Sequence, residues 1–112
     1  MGHYQDMLKA NRAPTAELKE HIGETYEGFA QMYRSAFADG ALSPATKELI
    51  ATAIAISDEC EGCIASHVRG AVRHGVTEEE FAEMVSVVIL MNGGPGTIYG
   101  PKAWSAYKEF KE

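Results

Sequence analysis

Two cysteines and a histidine share the short stretch ECEGCIASH, residues 59 to 67. Cys60 and Cys63 stand three apart and His67 follows four residues later; no other cysteine occurs in the chain. Thiols and an imidazole at these intervals can build a structural disulfide, a metal site or a thiol redox centre. On a helix, at about 100° per residue, all three side chains project from one face. An i, i+3 pair of cysteines is close enough to close a disulfide, and His67 one turn beyond Cys63 can reach its sulfur. Redox chemistry needs a thiolate. The positive end of a helix would favour one at Cys60 and, less strongly, at Cys63, and His67 could take the Cys63 proton. The charges of Asp58, Glu59 and Glu61 oppose this. For a metal, Cys60, Cys63 and His67 are zinc-type ligands and a carboxylate could be a fourth. Structural zinc sites usually draw a Cys or His pair from each of two segments, and this chain has no second pair.

The elements that must position these groups are helical. Asp58 reads as the N-cap of the cysteine helix, with Glu61 completing a capping-box pattern, and Gly75 as its left-handed stop. The preceding helix, PATKELIATAIAI, has Ser43 as its cap and Pro44 at its first position. Downstream, Thr77 and Glu80 form a capping box for EEEFAEMVSVVILM. Its run from Met84 to Met91 is too apolar for a surface helix and is expected in the core or in a subunit contact. The NGGPG segment breaks the chain, and KAWSAYKEFK closes it as a short amphipathic helix. Tyr99, Trp104, Tyr107 and Phe110 on that final stretch read as a packed stripe rather than a pocket lining. Residues 15 to 38 carry Leu18, Ile22, Tyr26, Phe29, Tyr33 and Phe37 at helical spacing, weakened by Gly23 and Gly28. His3, His21 and His74 read as surface or cap residues. The expectation is an all-α bundle of five to six helices, one domain over residues 1–112.

Composition narrows the function classes. Hydrophobic residues make up 46% and charged residues 23%, as in ordinary globular domains. A net charge of −6, with the ten basic residues scattered along the sequence, argues against nucleic acid or an anionic membrane as partner. No signal-peptide core and no run of about 20 apolar residues is present, so a cytoplasmic location is expected. There, closely spaced cysteines serve metal binding or catalysis more often than permanent disulfides.

Glu48 lies twelve residues before Cys60. Alone it reads as a solvated helix carboxylate. Together, the residues spell E-x11-C-x2-C-x3-H on an all-helical chain. This pattern resembles the carboxymuconolactone decarboxylase family, in particular its alkylhydroperoxidase D-like branch, with the motif core over about residues 43–110. The resemblance implies a helical bundle in which Cys63 attacks a hydroperoxide and Cys60 resolves the product to a disulfide. His67 would be the base and Glu48 its orienting partner in a proton relay. It further implies no cofactor or metal beyond the dithiol itself, a small-molecule hydroperoxide or disulfide substrate, an external thiol or protein reductant, and a homo-oligomer, trimer or hexamer. The chain departs from that branch at Gly62, where the branch has a second relay histidine. The alternatives are a non-redox decarboxylase-like enzyme of the same family and an oligomeric metal-binding or stress-related scaffold. Twelve residues along one helix would leave Glu48 about 120° from the cysteine face. The relay therefore requires a helix break near Ser57 and two antiparallel helices.

Overall fold

A computed structural model describes residues 2–112 and contains six helices: α1 (His3–Ala10), α2 (Arg12–Phe37), α3 (Pro44–Ser57), α4 (Glu61–Arg73), α5 (Glu78–Asn92) and α6 (Gly94–Lys111). No strand occurs among the described residues. The cap at Ser43 forms as the sequence predicts: its hydroxyl accepts from the Thr46 N–H at 3.1 Å, with Pro44 opening α3. Thr77 and Glu80 bond reciprocally, at 3.1 and 2.8 Å, to start α5.

Helix α4 is the centre of the bundle. Its Ile64, Ala65, Val68 and Ala71 are fully buried, and it packs between α3 and α6. From α6, Tyr107 stacks on Phe81 of α5 at 4.7 Å between ring centroids, and its hydroxyl donates to the Val76 carbonyl at 2.7 Å. Burying each large apolar side chain contributes about 1.5–3 kcal/mol, so this aromatic seam is a principal source of cohesion. Of the aromatic residues of α6, Tyr107 thus joins the core and Tyr99, Trp104 and Phe110 pack against it half-buried.

Two expectations change and a third is met in part. The N-terminal decapeptide, in which no helix was predicted, forms α1. Glu109 of α6 holds its start by accepting the Tyr4 and Gln5 backbone N–H groups at 3.2 and 2.6 Å. Helix α6 begins at Gly94, inside the predicted break. Gly93 ends α5 at φ 66°, and the lack of side chains on Gly96 and Gly100 lets α6 lie directly on Ile89 and Val85. The Met84–Met91 run is core on one side only: Val88 is buried with Met84 and Val85 packed against the core, whereas Leu90 and Met91 are 81% and 77% exposed. A second apolar surface lies on α2. None of its residues is buried, and Phe29 and Met32 are exposed. The helix bends at Ile22, whose φ of −131° and ψ of 38° fall outside the helical region immediately before Gly23.

Candidate active site

The joint between α3 and α4 sets the site's geometry. Asp58 ends α3 instead of starting α4. Glu59 adopts φ 56°, the Glu59 N–H bonds the Ile56 carbonyl and the Cys60 N–H bonds the Ala55 carbonyl. This is the Schellman turn, with a glutamate at the left-handed position where glycine is usual. The sequence-based assignment of Asp58 as the α4 cap fails because this turn consumes it. Cys60 takes the cap position, and its Sγ accepts from the Cys63 N–H at 3.3 Å. The reversal folds α3 back along α4, as the relay geometry demands.

Cys60 and Cys63 are joined in a disulfide with their Cα atoms 5.2 Å apart. Cys63 is exposed and Cys60 half-buried. No group of three or more His, Cys, Asp or Glu side chains among the described residues is placed to hold a metal ion.

Glu48, on α3, reaches across to α4 and meets His67, with Oε1 2.9 Å from Nδ1. Its carboxylate is nearly inaccessible, at 7% exposure of the side chain. A buried carboxylate is costly unless it is paired, and His67 supplies the pairing. Gly70 makes room for it: a Cβ at that position would run into the Glu48 carboxylate. The mid-helix glycine in SHVRGAV, which costs about 1 kcal/mol relative to alanine, was the sequence signal for this close approach.

Over the other face of His67 lie two rings from the end of α2. Phe37 and Tyr33 stand 5.6 and 6.2 Å from the imidazole, both within 12° of parallel. Burial, then the Glu48 carboxylate, push the Tyr33 hydroxyl above its ordinary pKa, while Arg69 opposes them, so Tyr33 is a neutral phenol near neutral pH. These rings were visible in the sequence only as part of an apolar stripe; their contact with His67 depends on α2 crossing the site. The acidic residues around the cysteines weigh less than their number implies. Asp58 and Glu59 are exposed, where water screens them, and Glu61 has Lys102 at 3.7 Å.

Cys60, Cys63 and His67 all line one cavity of about 810 Å³, walled by Met7 and Leu8 of α1 and by Arg12, Phe29 and Tyr33 of α2. An oxidisable pair, a buried carboxylate–imidazole couple and an open cavity therefore share one location. Of the four residues the sequence singles out, Cys60, Cys63 and His67 line the cavity directly, and Glu48 stands behind His67.

Comparison with known proteins agrees with this architecture. The model of the carboxymuconolactone decarboxylase family matches residues 23–111. An uncharacterized protein from Cupriavidus necator is 43% identical over 75 residues, which span 67% of this chain and 66% of that protein. The uncharacterized protein 4 in the cox locus of Paracoccus denitrificans is 39% identical over 83 residues, 74% of this chain and 75% of that one. Among solved structures, a carboxymuconolactone decarboxylase family protein from Legionella pneumophila, in its apo form, superposes with a TM-score of 0.94 at 34% identity, covering 97% of both chains. On fold, family model and sequence relatives together, the chain belongs to the carboxymuconolactone decarboxylase family.

Proposed function

We propose that the protein is a thiol-dependent peroxidase or disulfide oxidoreductase that cycles the Cys60–Cys63 pair. The observation that carries this reading is the placement of that disulfide in a cavity wall together with His67, whose Nδ1 is held by the buried Glu48. Glu48 fixes the tautomer with the proton on Nδ1 and leaves Nε2 as the basic nitrogen. In the reduced enzyme His67 takes the Cys63 proton. The thiolate attacks a hydroperoxide oxygen, forming an S–O bond and breaking the O–O bond. The departing alkoxide takes the proton from His67 and leaves as an alcohol. Cys60 then attacks the Cys63 sulfenic acid, forming the S–S bond and releasing water. An external thiol or a protein dithiol returns two electrons to the disulfide. Cys63 as the attacking residue is supported by its exposure, and Cys60 as the resolving one by its half-buried cap position. With Gly62 between the cysteines, one imidazole serves both proton steps.

A homo-oligomer, trimer or hexamer, belongs to the same proposal. It is supported by the exposed Ile50 and Ile54 of α3, Val87, Leu90 and Met91 of α5 and Ile98 of α6, more apolar surface than an isolated chain usually leaves in water. A reducing compartment such as the cytoplasm fits the need for thiol donors, and no described helix is long and apolar enough to cross a membrane.

The test is chemical trapping. Reduced Cys60→Ser protein, exposed briefly to a hydroperoxide with dimedone present, is expected to carry one adduct, on Cys63. Cys63→Ser protein is expected to carry none. An adduct on Cys60 in the second variant would reverse the two roles, and no adduct in either would end the peroxidase reading.

A further inference from the structure

Four of the ten basic residues, scattered along the sequence, converge in space. Lys9, Arg12, Arg69 and Arg73 line a single cleft of about 440 Å³ between α1, α4 and Phe110 near the end of α6, and no carboxylate lines it. In a chain of net charge −6 this is a marked local excess of cations. Of the six basic residues outside the cleft, Arg34, Lys102 and Lys108 each have a carboxylate partner, while Lys19, Lys47 and Lys111 stand apart from one another with none among the described residues. Among the described residues none of the four cleft cations has one, and the buried Nε of Arg69 has no hydrogen-bond partner at all.

Helix dipoles account for only part of the cluster. Lys9 and Arg73 occupy the last turns of α1 and α4, where a cation is favoured. Arg12 is the first residue of α2, the end where a cation is disfavoured. That end has no acidic residue in its first turn and no side-chain cap bond. Arg69 lies within α4, and burial, then the charges of Arg73 and Arg12, depress its pKa, with Tyr33 and the Glu48 carboxylate offsetting only part of this. Like charges gathered around a half-buried guanidinium oppose folding unless an anion sits among them. Four cations exceed what a single carboxylate would balance, and guanidinium forks suit the paired oxygens of phosphate groups.

We propose that this cleft binds a multiply charged oxyanion of the phosphate or diphosphate class, held by Arg69, Arg12, Arg73 and Lys9. Arg12 and Arg69 line the dithiol cavity as well, so a ligand anchored by its anionic end would extend its remainder toward Cys63. The anchoring does not depend on the redox chemistry of that cavity.

Titration calorimetry of the full oxidised chain with inorganic pyrophosphate tests it. One saturable event per chain is expected, weakening as ionic strength rises. Arg69→Gln and Arg73→Gln are each expected to weaken it about tenfold or more, the loss of one charge-assisted contact. Arg34→Gln, outside the cleft lining and paired with Glu27, is expected to leave it unchanged. Arg73 is exposed, so its variant folds even if Arg69→Gln does not. Absence of saturable heat, equal weakening by Arg34→Gln, or acetate binding as tightly as pyrophosphate would each overturn the proposal. None of these outcomes bears on thiol oxidation, which is read separately by thiol counting.

Discussion

Gly70→Ala should uncouple the relay at a residue that does no chemistry. Alanine in the middle of α4 would by itself gain about 1 kcal/mol from helix propensity. The added Cβ, however, would occupy the place of the Glu48 carboxylate, which must swing away and release His67. A hydrogen bond to a charged partner is worth about 1.5–3 kcal/mol, so the net effect is a destabilisation of about 0.5–2 kcal/mol. For a domain of this size that lowers the melting temperature by about 2–8 °C. Gly62→Ala is the control, because a Cβ there meets nothing within 4 Å, and its melting temperature should hold or rise. The assay is thermal unfolding of both variants at one fixed protein concentration, with nitrogen-15 NMR of the His67 ring as a second readout. Gly70→Ala is expected to melt lower and to lose the single tautomer. A variant that melts at or above wild type with the His67 spectrum unchanged would refute the claim that Gly70 seats Glu48.

Other outcomes follow from the same contacts. Glu48→Gln keeps the size of the side chain but removes the charge that orients His67, and alkylation of reduced Cys63 by iodoacetamide should slow by about tenfold or more. Tyr107→Phe removes the donor to the buried Val76 carbonyl and should cost about 1–3 kcal/mol in urea unfolding, with no effect on alkylation. Leu90→Glu, placed on the most exposed of the large apolar residues, should leave helicity intact by circular dichroism and shift the sedimenting species to lower mass.

The sequence carried local signals well and long-range ones unevenly. Caps at Ser43 and Thr77 depend on atoms within three residues, and both formed where the residues indicated. The Glu48–His67 pairing was legible from the family resemblance, and with the two nineteen residues apart a helix reversal had to join them. The position of that reversal was less legible. Asp58 reads as the cap of α4, and what displaced it was a left-handed turn at Glu59, an uncommon residue there. Helix α1 is too short to hold by propensity, and the carboxylate of Glu109 that anchors it comes from the far end of the chain. The Met84–Met91 run shows apolar residues seeking burial without saying against what. The convergence of Lys9 and Arg12 with Arg69 and Arg73 is a property of the packing of α1 on α4, and no window of the sequence contains it.

In the proposed cycle the paired sulfurs exchange electrons with a small oxidant while His67 and Glu48 manage the proton. Counting free thiols while reduced protein reacts with tert-butyl hydroperoxide tests it most directly. Two thiols should be lost per chain for each peroxide reduced and be restored by dithiothreitol, with the loss slowed in Glu48→Gln and no peroxide reduced by Cys63→Ser. Thiols that persist in excess peroxide, or peroxide consumed equally fast by Cys63→Ser, would contradict it.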